Sequence, residues 1–426
     1  MGSLDNNIFR IEGVVQHYDW GGKSFIPNLI SEKNPANITY AEYWLGAHLK
    51  APSLVKVQQK NIPLDVFLNE YSSKDSEPHF GTLPYLFKVL DVHKMLSIQV
   101  HPTKEAAKKG YELENNKGIP LTANHRNYKD QNHKPEIMVA LSDFWLLHGF
   151  LERSKLIKNL QETKELYFLL KTFLSEGYVG LYKKVMEFTQ EEVNIILRPL
   201  MDRIYPKFTA NEIEKSAPAY WAAKSLADKD VQNLDKGIFS IFFFNILKLS
   251  KGEAIFQDAG LPHAYLEGKN MELMANSDNV LRGGLTSKHI DVEELIRNTK
   301  FEETIPAILH GNQNKSNGEV VYKTTTKDFE MSKIELNSST SHRSVSNSIE
   351  ILIAMKGSAT MIENKNAFFI EKGQSFVIKP NTAYKIQTNS EAEIYKAGVP
   401  ILVNCSNLEI LASCSFKALI RIGISP

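Results

Sequence analysis

The chain has 426 residues, of which 42% are hydrophobic and 23% charged, with 50 Lys+Arg against 49 Asp+Glu and a formal net charge of +1. That length exceeds one ordinary hydrophobic core and predicts two or three domains, and the composition is that of a globular chain rather than a disordered one. The near-zero balance excludes a global electrostatic case for nucleic acid or an anionic membrane, so any local cluster of cations reads as a site for a small anion.

The first hundred residues read as short strands and loops. A strand over 9–15 leads into the aromatic turn Gln16-His17-Tyr18-Asp19-Trp20-Gly21-Gly22, and a second strand over 40–46 carries Glu42. The run Tyr85-Leu86-Phe87-Lys88-Val89-Leu90-Asp91-Val92 is rich in β-branched and aromatic residues, as strands are. Ser97-Ile98-Gln99-Val100-His101-Pro102 alternates, so Ser97, Gln99 and His101 share one face while Ile98 and Val100 turn to a core. Thr103 is the expected N-cap of a helix over 104–109, with Gly110 as its stop. The polar stretch 110–131 reads as a long irregular loop lining a functional edge.

A strand over 133–141 follows, with Lys134 and Glu136 on one face. Between 152 and 234 the apolar residues switch to helical spacing, punctuated by Pro199 and Pro206, and predict an all-helical insertion of about 85 residues. Strands return over 242–249, 254–256, around Pro262-His263 and over 271–274, with a short helix over 291–298. The longest apolar run, 238–249, is too short to span a bilayer. After a polar linker at 312–317 the remainder is strand-rich, as in a second sandwich or jelly roll, and its serine-rich stretch 337–348 reads as a surface loop.

The expected organisation is therefore a discontinuous first β-domain of residues 1–150 and 238–312, a helical insertion over 151–237, and a C-terminal β-domain over 313–426. An internal echo supports two related β-modules. Lys251-Gly252-Glu253-Ala254-Ile255-Phe256 with Pro262-His263-Ala264-Tyr265 resembles Lys372-Gly373-Gln374-Ser375-Phe376-Val377 with Asn381-Thr382-Ala383-Tyr384. Thr382 stands where His263 does, and the second module's one histidine, His342, falls in the serine-rich stretch, so this module is expected to bind no metal. Cys405 and Cys414 have neither metal spacing nor a disulfide framework and read as inert thiols of a reducing compartment. No basic, then apolar, signal segment is evident, and a cytoplasmic location is expected.

Gln99, His101, Glu136 and His263 offer two nitrogens and two oxygens, a set that suits a divalent transition metal with room for a substrate. The alternative is a polar strand face bathed in solvent. With the motifs Tyr18-Asp19-Trp20-Gly21, Ala41-Glu42-Tyr43-Trp44-Leu45-Gly46, Ser97 to Pro102, His133-Lys134-Pro135-Glu136, Pro262-His263-Ala264-Tyr265-Leu266 and Ser277-Asp278-Asn279-Val280-Leu281-Arg282-Gly283-Gly284-Leu285-Thr286 in this order, the chain resembles the type I phosphomannose isomerase family over nearly its whole length. Members of that family interconvert mannose 6-phosphate and fructose 6-phosphate with zinc. The resemblance implies a mostly β fold of two cupin-type (jelly-roll) barrels plus a helical domain. It also implies one zinc per chain on Gln99, His101, Glu136 and His263, and Arg282 as a catalytic residue.

Lys134, Glu272 and His133 are the candidates for proton transfer. Lys88, Ser97, Asp278 and Lys288 are candidates for phosphate and hydroxyl contacts, and Trp20 and Tyr265 could wall the sugar. Asp278 could instead form a structural ion pair with Arg282. Where relatives commonly carry Ala and Pro, this chain has Gly283 and Ser287. The expected partner is a small sugar phosphate, with no nucleic acid or membrane, and the chain is expected to be a monomer or weak homo-oligomer. Two rival functions remain at this point: a non-haem iron cupin oxygenase, which also uses two histidines and a carboxylate, and a metal-binding sugar-phosphate sensor.

Overall fold

A computed structural model describes residues 6–71, 83–226, 232–314 and 317–400; Cys405 and Cys414 lie outside them. Among the described residues the strands form two antiparallel sheets of twelve and ten strands, so the fold is mostly β with helices added. The ten-stranded sheet runs Phe244–Leu249, Phe144–Phe150, His263–Ala275, Tyr85–Val92, Glu42–Gly46, Val14–Gln16, with Gln99–Val100, Glu136–Ala140, Ala254–Gln257 and Leu281–Arg282 paired off this path. The twelve-stranded sheet is built mainly from residues 312–398. It also takes in Ile8–Glu12, which pairs with Ser375–Ile378 on one side and Leu54–Val57 on the other. The first 63 residues thus supply strands to both sheets.

Strand periodicity decides what faces where. In Tyr85–Val92 the odd residues Tyr85, Phe87 and Val89 enter one core cluster, together with Tyr43, Leu45, Ile137, Val139, Met271 and Leu273. Successive strand side chains point to opposite sides, so the even residues Lys88, Leu90 and Val92 face the other way, as do Glu42, Glu136 and Glu272 on the neighbouring strands. The same core cluster includes Ile351, Ile353, Val377 and Tyr395 from the C-terminal part of the chain. The Tyr85 hydroxyl lies 2.9 Å from the carbonyl of Ile349 and 3.2 Å from that of Ala397.

His263–Ala275 is the strand on which the site hangs. It pairs with four others and sets His263 opposite both Gln99 and His148, and Met274 opposite Glu136. It turns at Gly268, whose φ of +132° and close approach to Phe144, 2.6 Å from where a Cβ would lie, leave room for no side chain. The helices Arg153–Glu162, Leu169–Glu187, Gln190–Thr209 and Pro218–Lys224 share a second core with this barrel, in which Leu156, Phe173, Leu197 and Trp221 meet Phe150, Phe239 and Phe244. None of the described helices is long and apolar enough to cross a membrane.

Several local expectations give way: the strand over 9–15 is two, Ile8–Glu12 and Val14–Gln16, in different sheets, and the linker at 312–317 begins with the strand Asn312–Asn314. Gly110 does not end its helix, which runs Lys104–Asn116 from the Thr103 cap; the missing side chain admits the Tyr128 ring, 2.2 Å from a would-be Cβ. Pro199 and Pro206 sit inside the single helix Gln190–Thr209, where burial of Val193, Leu197, Leu200, Met201 and Ile204 offsets the lost backbone bonds. Phe242 and Phe243 close the helix Gly237–Phe243 before the strand begins at Phe244. The serine-rich stretch is no loop throughout: Ser341–Val345 is a strand paired with Ala383–Gln387, and it buries His342.

His342 is buried beside Tyr384, their ring centroids 5.9 Å apart. Burial, reinforced by the Lys396 ammonium and opposed by Glu319, lowers its pKa to about 4, against ~6.5 in an unfolded chain. Between those values the unfolded state binds a proton that the folded state does not, so stability should fall as pH drops from ~6.5 towards ~4, by up to about 3 kcal/mol, and be flat above. His342→Leu should remove that part of the slope in denaturant midpoints measured across this range.

Candidate metal centre and cavity

His101, Glu136 and His263 come from three different strands or strand ends, yet one ligand atom from each lies within 4.8 Å of the others. All three are buried. His101 Nδ1 donates to the carbonyl of Asn279 at 2.9 Å, and His263 Nδ1 donates to that of Leu261 at 2.9 Å. Those bonds fix the tautomer and leave both Nε2 atoms as acceptors. His101 Nε2 then stands 3.4 Å from one Glu136 oxygen and His263 Nε2 3.3 Å from the other. Burial holds His101 at a pKa of about 4, against the pull of Glu136, so its ring is neutral at pH 7, and its Nε2 has no hydrogen-bond partner. Lone pairs aimed at a carboxylate are mutually repulsive; a divalent cation among them satisfies all three. Gln99 lies in register with His263 and with Arg282 on flanking strands and lines the cavity above.

One buried residue ties the centre together. Asn279 accepts His101 on its backbone oxygen. Its side-chain amide donates to the carbonyls of Asp130 and Asn132, at 2.9 and 2.8 Å, and its side-chain oxygen accepts from the Lys129 and Asp130 amides. Asn279 falls in one of the family motifs but, like Asp130, had no role legible from residue type or spacing, because that role is fixed by loops distant in sequence.

A cavity of about 1140 Å³ adjoins the centre through Gln99 and Lys134 and is lined also by Trp20, Lys88, Ser97, Asp278, Arg282 and Lys288, among others. Lys134 Nζ is 3.0 Å from Glu136 Oε1. Burial opposes ionisation of Glu136, but the Lys134 ammonium is the foremost influence against it, and the carboxyl is held well below its usual range. Lys88 Nζ lies 2.9 Å from Glu272 and 3.5 Å from Glu42; burial works against its charge, and these carboxylates more than restore it. Tyr265 is not in the wall: its hydroxyl donates to Glu272 at 2.8 Å. Glu272, whose pKa burial raises against the pull of Lys88, thus has both oxygens engaged.

Asp278 does not pair with Arg282. It bonds Lys50 at 2.6 Å and lies 3.4 Å from His48, two residues that the sequence did not single out. His133 turns to Asp328, 2.8 Å away, and not to the cavity. Arg282 is desolvated enough to lower its pKa and has no carboxylate partner among the described residues. Burial and the charge of Arg282 also lower Lys288, against Asp19. Gly283 is explained by the helical insertion: a Cβ there would lie 2.6 Å from the Tyr182 hydroxyl. A smaller cleft of about 440 Å³, lined by Arg10, His17, Tyr43 and Gln374 among others, holds none of these groups.

Fold and site together define a double β-barrel protein with a His–Glu–His cluster suited to a divalent metal beside a cation-lined cavity. A family model described as the phosphomannose isomerase type I catalytic domain matches residues 8–153. Mannose-6-phosphate isomerase of Escherichia coli K12 is 36% identical over 376 residues, covering 86% of this chain and 93% of the relative. The mouse enzyme of the same name is 31% identical over 397 residues, covering 83% and 89%. The crystal structure of mannose 6-phosphate isomerase from Salmonella typhimurium bound to fructose 6-phosphate and zinc superposes with a TM-score of 0.81 at 30% identity, covering 93% of this chain and all of that one. The chain belongs to the type I phosphomannose isomerase family.

Lys88 separates a structural from a ligand-contacting role. Lys88→Ala leaves Glu42 and Glu272 buried without their cation, a loss of about 3–5 kcal/mol by the rule for broken buried pairs. Chemical denaturation should show it. A Lys88 that served only to bind phosphate would raise KM and leave stability unchanged.

Proposed function

We propose that the chain is a zinc-dependent aldose–ketose isomerase that interconverts mannose 6-phosphate and fructose 6-phosphate through an enediol. The observation that carries this reading is the convergence of two imidazoles on the buried Glu136 carboxylate beside a cavity lined by Arg282, which has no carboxylate partner among the described residues. The named relatives are isomerases, and neither an iron oxygenase nor a sensor finds a counterpart among them. Gln99, His101, Glu136 and His263 would hold the zinc, which when bound supplies Lewis-acid stabilisation of negative charge developing on the substrate oxygens at C1 and C2. The metal-bearing barrel of 1–150 and 238–312, the helical insertion of 151–237 and the C-terminal module of 313–426 are part of the same reading. So is action in the cytoplasm as a monomer or weak homo-oligomer, to which the cysteine pattern is suited.

Within the cavity Lys134 Nζ is placed to move the proton between C1 and C2, because it reaches both Glu136 and the open space. Glu272 is the weaker candidate: Lys88 and Tyr265 occupy its oxygens, so it holds Lys88 instead. Arg282, in register with Gln99, reaches the reacting oxygens, and Lys288 nearer the rim takes the phosphate. Ser97 and Asp278 supply sugar hydroxyl contacts, and Trp20, stacked with Tyr18, offers an apolar wall.

Removing zinc with a chelator should abolish fructose 6-phosphate formation in a coupled assay, and added zinc should restore it. His101→Ala or His263→Ala should lose zinc and activity together while the far-ultraviolet circular dichroism is kept. An active, metal-free His263→Ala protein would contradict the assignment. If Arg282 stabilises the enediolate, Arg282→Lys should lower kcat strongly and change KM little, because a point charge replaces a planar fork. A near-normal kcat with a much raised KM would move Arg282 to the phosphate.

A further inference from the structure

The C-terminal module carries no counterpart of His263, yet it sends one carboxylate to the other barrel. Asp328, in the loop between the strands Glu319–Tyr322 and Glu330–Asn337, accepts from His133 Nε2 at 2.8 Å. The acceptor oxygen is itself set by the Thr326 hydroxyl at 2.8 Å, and the Asp328 amide donates back to that hydroxyl at 3.3 Å. Burial disfavours the ionised carboxylate, but His133 and Thr326 outweigh it and hold its pKa below the usual range, with Lys104 adding to the pull. The pair therefore carries a charge-assisted hydrogen bond in a half-buried site.

What that bond holds is the residue next in the chain. Lys134 lines the cavity and touches Glu136, while its neighbour His133 points out of the cavity to the second module. The flanks of the segment are anchored. Asn132 gives its carbonyl to Asn279 at 2.8 Å, and the Pro135 carbonyl accepts from Ala275 at 3.0 Å. Between those anchors, no backbone hydrogen bond outside the sheet ladders fixes His133 or Lys134 among the described residues, and Pro135 has no amide to offer. Apart from the Lys134–Glu136 ion pair, the His133–Asp328 bond is the hydrogen bond that pins this dipeptide.

We propose that Asp328 is a positioning residue for catalysis: through His133 it sets where the Lys134 side-chain nitrogen stands between Glu136 and the cavity. The second barrel then completes the active site of the first without touching substrate. The pairing also explains why His133, beside two functional residues, is not itself the base. Its outward nitrogen is committed to the partner module.

The proposal rests on the isomerase reading, and its test keeps the two apart. The isomerase rate of the zinc-loaded wild-type chain is measured first; an inactive wild type contradicts the isomerase reading and, with it, this one. With an active wild type, Asp328→Ala should lower kcat by roughly tenfold, since small misplacements of a reacting group are that costly, with KM and bound zinc unchanged. Asp328→Asn, which keeps an acceptor oxygen for His133, should recover most of the loss. In a His133→Ala background, Asp328→Ala should have no further effect on kcat, because the shared path is already cut. If Asp328→Ala proves too unstable to assay, the Asn variant and the His133→Ala chain decide alone: near-normal kcat for the first and a tenfold loss for the second support the proposal. An unchanged kcat in Asp328→Ala, equal losses with and without His133, or a loss expressed only in zinc content would overturn it.

Discussion

Two imidazoles and one carboxylate, buried together with both Nε2 atoms turned on the Glu136 oxygens, form the constraint that the rest of this structure serves. Left to themselves, the His101 and His263 Nε2 atoms would not sit within 3.4 Å of the Glu136 oxygens. They are held there from behind, each by its Nδ1 hydrogen bond to a backbone carbonyl. Those carbonyls are in turn fixed: Asn279 by its grip on the 129–132 segment, Leu261 by the turn that opens the strand His263–Ala275. Outer hydrogen bonds of this kind orient metal ligands and tune their affinity. The core can tolerate such a set because strand alternation turns Tyr85, Phe87 and Val89 into apolar packing and sends Lys88, Glu136 and Glu272 the other way.

The buried charges beyond the cluster are arranged as a chain of partners, Tyr265 to Glu272 to Lys88 to Glu42. Such pairs contribute little net stability against the cost of desolvation; they fix geometry instead. The C-terminal barrel repeats the theme. Tyr384 bonds Glu350 at 2.7 Å, and Lys396 lies 3.8 Å from Glu350 and 2.8 Å from Glu319. Tyr384 corresponds to Tyr265 in the internal sequence echo. Where the first barrel has His263, the second has Thr382, whose hydroxyl donates to the Lys379 carbonyl. The two modules therefore share an ionic interior, and among the described residues only the first assembles a His–Glu–His set.

The fold class and the cluster were legible in the sequence because both rest on local signals: alternation around His101 and Glu136, helical spacing over the insertion, and motif order. What escaped depends on contacts between distant segments. Gly110 reads as a helix stop until the Tyr128 ring is found against it, and Gly283 is only a departure from the relatives' Ala until Tyr182 is found beside it. A serine-rich stretch looks solvated, yet pairing with Ala383–Gln387 makes part of it a strand that buries His342. Asp278 and Arg282, four residues apart, suggest a pair; His48 and Lys50 take Asp278 because the fold brings an N-terminal loop to it. Lys88 looked free for phosphate, since its two carboxylate partners lie on other strands.

The most direct test of this account is anomalous diffraction at the zinc edge from crystals of the zinc-loaded chain. One strong peak per chain is expected, about 2.0–2.2 Å from His101 Nε2, His263 Nε2 and a Glu136 oxygen, with Gln99 completing the set. A zinc-loaded, active protein with no peak between these three residues, or with its peak in the C-terminal barrel, would contradict it.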